Sequence, residues 1–169
     1  DKTVLDNIEA PFEDVVKSVY RRYNQHLQEN NLLDFEDLIV LTIRLLKEQK
    51  EIREYYQEKF KYVLIDEFQD TNNIQYELVS LLLGENKNIF IVGDEDQSIY
   101  AFRGANIENI RKFKSDYPTF HLVLLEENYR STNTILKAAN QIIKNNRNRI
   151  SKNLFSSKGL GEPITHFKG

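Results

Sequence analysis

Residues 63–72 read VLIDEFQDTN: three aliphatic positions, then Asp66 and Glu67 side by side, with no turn residue between them. A strand that looks buried and runs straight into two carboxylates is costly. Like charges repel, and burial favours the neutral form of each acid. Two answers stand at the level of this stretch alone. Either Asp66 caps the following turn while Glu67 faces solvent, or a metal ion or bound cationic groups offset the charge.

Working outward, Val15, Val16, Val19, Tyr20, Tyr23 and Leu27 recur at helical spacing with charges between them, which predicts a helix over residues 12–30. A second helix is expected from Asp34, an N-cap with Asp37 three residues on, through Leu38, Leu41, Leu45 and Leu46. Residues 51–60 read as a short helix and 62–65 as a compact apolar strand. The next helix covers 73–83, closed by Gly84 as a residue able to take positive φ. A second strand at 88–92 is stopped by Gly93 and Asp94, and a helix over 106–116 ends before Pro118. A third strand is expected at 120–125 (FHLVLL), then a helix from Ser131, a good N-cap, to about residue 146.

Oily strands alternating with helices imply βαβ units, so the expected fold class is α/β, a parallel sheet flanked by helices. The first 33 residues carry no strand and read as a separate helical piece; residues 159–163 read as a linker or loop.

The composition is that of a soluble globular protein: 169 residues, 40% hydrophobic and 29% charged. Cys is absent, which removes disulfide frameworks, Cys-based zinc sites and thiol nucleophiles. No apolar run approaches the ~18 residues of a membrane span and no signal peptide opens the chain, so a cytoplasmic protein is expected. The chain starts at Asp1 and lacks Met, so it reads as a fragment. The net charge of −3 argues against a uniformly basic nucleic-acid coat. Residues 144–158 nevertheless carry five Lys or Arg and no acid, a pattern read as a solvated helix end and loop. His26, His121 and His166 show no ligand spacing, and His121, inside the third strand, reads as packed.

All three expected strands finish in a polar cluster: Asp66-Glu67; Gly93-Asp94 followed by Gln97; and Glu126-Glu127-Asn128-Tyr129-Arg130. In a parallel sheet these ends share one edge, where open α/β folds bind ligands. An oily strand followed by Asp-Glu is how P-loop-type ATPases hold magnesium, the second carboxylate orienting and deprotonating the attacking water. After the second strand, GDEDQSIYAFRGAN joins Gln97 to Tyr100, Phe102 and Arg103. Aromatics with arginine suit base stacking on single-stranded nucleic acid; the alternative is that Tyr100 and Phe102 pack in the core.

DEFQDTN, VGDEDQSIYAFRGAN and LEENYRST, in this order, resemble motifs II, III and IV of superfamily 1 DNA helicases of the UvrD, Rep and PcrA group, and LLDFEDLIV resembles the segment by which the family's chain re-enters the first motor domain. The resemblance covers most of residues 32–145. It implies a partial RecA-like motor, with residues 1–33 ending a helical insertion, 34–130 forming the C-terminal half of the first RecA-like domain, and 131–169 leading into the second. It implies ATP and Mg²⁺ as cofactors, with single-stranded and duplex DNA as partners. Asp66 is similar to the magnesium-holding aspartate and Glu67 to the general base, both near the metal. Gln97 is similar to the γ-phosphate contact that links to the DNA site, Arg130 to an arginine stabilising γ-phosphate charge, and Tyr129 to the aromatic that stacks on adenine. Phe35, Tyr100, Phe102 and Arg103 match positions that form pockets for DNA bases. Phe102 stands where the family often has tryptophan.

The sequence contains no G-x-x-x-x-G-K-[ST] phosphate loop and none of the late motifs of a second motor domain. The expected function is therefore a piece of an ATP-dependent 3′-to-5′ DNA helicase, itself unable to position ATP for hydrolysis and prone to expose apolar surface. Two rivals remain: the helicase subunit of a RecB- or AddA-type helicase–nuclease, and a non-catalytic module that binds DNA or protein.

Overall fold

The computed structural model describes residues 12–85, 87–146 and 149–168. Residues 1–11 of the expected helical piece and Arg147 of the basic tail lie outside them. The described elements are α1 (Glu13–Glu29), α2 (Phe35–Glu48), α3 (Lys50–Lys59), β1 (Val63–Ile65), α4 (Asn73–Leu82), β2 (Ile89–Ile91), α5 (Glu108–Asp116) and α6 (Asn133–Ile143). They fall into two compact units, one drawn from residues up to Val63 with Ile74–Asn88, the other from Leu64–Asn73 with Ile89 onward.

In the first unit, α2 begins where its sequence says it should. The Asp34 carboxylate accepts the Asp37 N–H at 2.8 Å, and Asp37 accepts the Asp34 N–H at 3.2 Å. This reciprocal pair satisfies two N–H groups that the first helical turn leaves without partners. Ile43 and Leu46 are buried on one face of α2, with Tyr76 of α4 buried in the same unit. Arg53 of α3 donates to the Leu46 carbonyl at 2.9 Å, and Gln57 donates to the Leu81 carbonyl at 2.8 Å. Both bonds cover carbonyls near helix ends that have no partner within their own helix. Gly84 does not take the expected positive φ. A Cβ there would lie 3.5 Å from the Gln57 backbone oxygen, an ordinary contact, so neither left-handed turning nor close packing calls for glycine at this position.

In the second unit, β1 and β2 pair in parallel, with the Val92 N–H donating to the Ile65 carbonyl at 2.8 Å and the Phe68 N–H to the Val92 carbonyl at 3.0 Å. The α/β expectation thus holds in a coarser form: helices with a small parallel two-stranded sheet. A sheet this small needs packing against other elements to persist. Phe68, 1% exposed, supplies it by meeting Phe113 of α5 edge-on at 5.9 Å between ring centroids. Phe113 in turn contacts Tyr117 and Phe120. Buried Asn109 ties the same helix to the chain after β1, donating to the Thr71 carbonyl at 3.0 Å.

The third expected strand does not form. Residues 120–125 make no ladder with any described segment, and Leu122, Val123 and Leu125 are exposed. Apolar residues favour extended backbone but cannot supply a neighbour to pair with. His121 is exposed too, not packed. Pairing resumes only at Glu127, which forms a parallel bridge with Phe155.

Ser131 does not cap α6. Thr132 holds the N-cap position without a side-chain bond, and the free N–H groups of Asn133 and Thr134 are taken by the carbonyls of Gly159 (2.9 Å) and Leu160 (3.1 Å). Backbone carbonyls have replaced the hydroxyl. Residues 159–161 are accordingly part of the α6 structure rather than a linker. Gly161 is required there, since φ is +73° and a Cβ would strike the Thr132 side chain at 2.5 Å.

Truncating Phe68 to alanine is expected to cost about 3–5 kcal/mol, the loss typical of a fully buried phenylalanine. Phe102→Ala, at a position 83% exposed, is expected to stay within about 0.5 kcal/mol. Urea unfolding followed by circular dichroism measures both; equal losses would contradict this packing.

Candidate functional site

The backbone turns sharply at the end of β1. Glu67 sits in the left-handed region at φ 48°, ψ 43°, where a non-glycine residue is strained and where such strain gathers at functional positions. The Asp66 carboxylate accepts the Glu67 N–H at 2.9 Å. Both acids remain exposed at the strand end.

The next residues split their labour. Phe68 enters the core and Gln69, 1% exposed, turns to the site. Its Nε2 donates to Glu67 Oε2 at 2.7 Å while its Oε1 accepts the Asp94 N–H at 2.9 Å, joining the ends of β1 and β2. Nε2 also lies 3.5 Å from Asp70 Oδ2, and Asp70 Oδ1 is buried with no hydrogen-bond partner among the described residues. Gly93 makes room for this arrangement: a Cβ there would fall 2.8 Å from Gln69 Oε1.

On the second strand end, Asp94 opens a short 3₁₀ turn, Glu95–Gln97, by accepting the Asp96 N–H at 3.0 Å. Gln97 Nε2 donates to Asp94 Oδ2 at 2.8 Å. Burial pushes the Asp94 carboxyl up, but the hydrogen bonds from Gln97 and Lys152 and the charge of Lys152 outweigh it, holding the group below its ordinary range. Asp96 is gripped by the Arg149 guanidinium through two bonds, Nε to Oδ1 at 2.8 Å and Nη2 to Oδ2 at 2.5 Å. The Ile150 N–H donates to Glu95. At Arg149 and Lys152, then, the basic tail is not a solvated loop; it neutralises the acids that follow β2, because a forked guanidinium matches a carboxylate and both are shielded from water.

Among the expected base-stacking residues, Phe102 is 83% exposed and Tyr100 is open to solvent, so neither is core packing. Their rings lie 6.1 Å apart and the Arg103 guanidinium sits 5.4 Å from the Tyr100 ring centre. Together they form a cationic aromatic surface immediately after the Gln97 turn. Phe35 is 90% exposed as the first residue of α2, in the first unit. Tyr129 is exposed with its hydroxyl donating to Glu127 Oε2 at 2.9 Å, a bond that raises the phenol's pKa. Arg130 is exposed beside it, and Lys158 reaches its carbonyl at 3.3 Å. Among the described residues no hydrogen bond or ion pair joins Tyr129 or Arg130 to the group running from Asp66 to Gln97.

The donor set at Asp66 and Glu67 suits a hard cation. Two exposed carboxylates at one strand end match Mg²⁺, which keeps several waters and takes only one or two protein oxygens beside its phosphates. No group of three or more His, Asp or Glu among the described residues forms a metal cage of its own.

Sequence reasoning passes over Gln69, Arg149 and Lys152. Gln69 left a faint signal, a glutamine two residues beyond the second acid of a strand end. The two basic residues stood out only as part of the basic run 144–158, whose acidic partners lie more than fifty positions away.

The family model described as the UvrD/REP helicase N-terminal domain matches residues 2–118, and the UvrD-like helicase C-terminal domain matches residues 123–169. The chain belongs to the UvrD/REP helicase family. It is 51% identical over 154 residues to the ATP-dependent DNA helicase PcrA of Staphylococcus aureus strain Mu50, covering 91% of this chain and 21% of the relative. It is 49% identical over 158 residues to that of Bacillus subtilis strain 168, and 46% identical over 157 residues to that of Leuconostoc citreum. These cover 94% and 93% of the chain, and again 21% of each relative. The chain therefore spans about one fifth of the length of these UvrD/REP relatives. Among its described residues no helix is long and apolar enough to cross a membrane.

The depressed Asp94 acidity fixes a sign for pH dependence. Its stabilising contribution is present above the ordinary carboxyl value near 3.8 and is lost as pH falls through the lower folded-state value. Stability is expected to decline as the pH falls from the ordinary carboxyl value through the lower folded-state one, and Lys152→Met to flatten that slope. Unfolding midpoints measured across this range test it; an identical slope in the variant would contradict the assignment.

Proposed function

We propose that this chain is the middle of an ATP-driven DNA motor, carrying the hydrolytic carboxylates and part of the DNA-binding surface. The single observation that carries the reading is the hydrogen-bonded path Glu67–Gln69–Asp94–Gln97, which joins the acids after β1 to the turn after β2. That is the edge where an open α/β sheet takes a nucleotide. In this reading the fold is a partial RecA-like motor: residues 34–130 are the second half of its first domain, residues 1–33 end a helical insertion, and 131–169 lead into the second domain. The parent acts on single-stranded and duplex DNA in the cytoplasm, translocating 3′ to 5′ and separating strands. The names of the PcrA relatives support a stand-alone helicase over a nuclease-linked one.

Each residue has a physical task. Asp66, with Glu67 beside it, would hold Mg²⁺, which when bound would neutralise phosphate charge. Glu67, at the sharp backbone turn that ends β1, takes the proton of the attacking water. Gln97 contacts the γ-phosphate, Arg130 stabilises charge there, and Tyr129 stacks on adenine. Tyr100, Phe102, Arg103 and Phe35 take DNA bases by stacking and by cation–π attraction. Gln97 and Arg103 are six positions apart, so a shift of the glutamine on hydrolysis is transmitted directly to the stacking surface.

A chain without a phosphate loop has nothing to hold the β- and γ-phosphates before these acids. The purified chain is therefore expected to hydrolyse ATP negligibly. A DNA-stimulated rate that disappears in Glu67→Gln would overturn that. In the full-length protein, substitution of Gln97 is expected to reduce unwinding per ATP hydrolysed, read by parallel ATPase and strand-separation assays. Equal loss of both activities would count against the coupling role.

A further inference from the structure

Among the described residues, Gln69 is the one fully buried polar side chain that touches a residue of the proposed hydrolytic group, and the expected roles leave it without a task. Its two ends do different work. Oε1 accepts the Asp94 N–H at 2.9 Å, a structural bond that holds the turn after β2. Nε2 donates to Glu67 Oε2 at 2.7 Å, in a geometry that no other described donor provides for that carboxylate. Burial fixes the amide: Gly93 lies against Oε1 closely enough to exclude even a methyl group, and the Phe68 ring anchors the preceding residue in the core.

We infer that Gln69 is a positioning residue for Glu67, holding the carboxylate in the orientation in which it meets the attacking water, and linking that orientation to the turn that carries Gln97. The inference rests on the reading of Glu67 as the general base. A carboxylate on a surface-exposed side chain samples several rotamers, and a reacting group must be held within a narrow range of geometry to act. A neutral amide suits the task. It donates one hydrogen bond to one oxygen and leaves the other oxygen free to accept a proton, whereas a lysine in its place would form an ion pair and weaken the base. Because the same amide accepts from Asp94, which in turn accepts from Gln97, movement of the Gln97 turn is felt at Glu67.

The test uses the full-length protein with Mg²⁺, ATP and saturating single-stranded DNA, measuring single-turnover rate, kcat and KM for ATP. Gln69→Glu keeps an acceptor for the Asp94 N–H but sets a second carboxylate where Glu67 had a donor. Gln69→Met preserves volume and has neither acceptor nor donor. Both are expected to lower kcat about ten- to hundredfold with KM within about threefold, the pattern of a lost orienting partner. In a Glu67→Gln background the further loss from either is expected to stay below about twofold, because no base remains to be positioned. Should Gln69→Glu not fold, by circular dichroism, the same cycle with Gln69→Met decides between the two roles. A purely structural role predicts another pattern, and finding it would overturn the inference: both variants impaired in kcat and KM alike, and the loss persisting undiminished in the Glu67→Gln background. If Glu67→Gln abolishes turnover while both Gln69 variants keep kcat within about twofold, the positioning role alone falls. If Glu67→Gln itself retains kcat, the assignment of the base fails and the positioning role falls with it.

Discussion

A single buried carboxamide holds together the working edge of the second unit. Two parallel strands end beside one another in acids, and the chain after each must turn at once. Gln69 answers both needs, accepting from the backbone of one turn and donating to the carboxylate of the other. Its neighbours are fixed in consequence. Glu67 takes the left-handed region, and the two residues after it, Phe68 and Gln69, are both buried, one against the Phe113 ring and the other bonded to the strand-end acids. A side chain at residue 93 would displace the amide oxygen, which lies 2.8 Å from where its Cβ would fall.

Charge is distributed unequally along that edge. The acids after β2 are already satisfied by the protein, with Asp96 forked by Arg149 and Asp94 bonded by Gln97 and Lys152. Among the described residues, Asp66 and Glu67 have only an N–H donor and an amide, and both stay open to solvent. A divalent cation gains most where negative charge is least compensated, which favours Asp66 and Glu67 over the denser cluster beside them.

Local rules carried the reading of the helices well. The Asp34–Asp37 capping box and the apolar periodicity of residues 12–30 are written within a few positions of where they act, and the two short strands are bounded by residues that stop them. What escaped was non-local. Residues 120–125 have every compositional mark of a strand, yet pairing depends on a neighbour that composition does not encode. The caps of α6 come from Gly159 and Leu160, beyond the far end of the helix. The ion pairs of Arg149 and Lys152 close loops of more than fifty residues. At the candidate site, the motif residues were legible by type, while Gln69, which ties them together, became visible only through its burial and its two bonds.

If the β1 acids, oriented by Gln69, face the nucleotide, a structure of the full-length protein with Mg²⁺, a non-hydrolysable ATP analogue and single-stranded DNA tests it most directly. Asp66 is expected in the metal's hydration shell and Glu67 facing the water in line with the γ-phosphate. Gln69 Nε2 should remain within hydrogen-bond distance of Glu67, and Gln97 should lie beside the phosphate. A structure in which Glu67 points to bulk solvent, or in which Gln69 has released it while the nucleotide is bound, would contradict this arrangement.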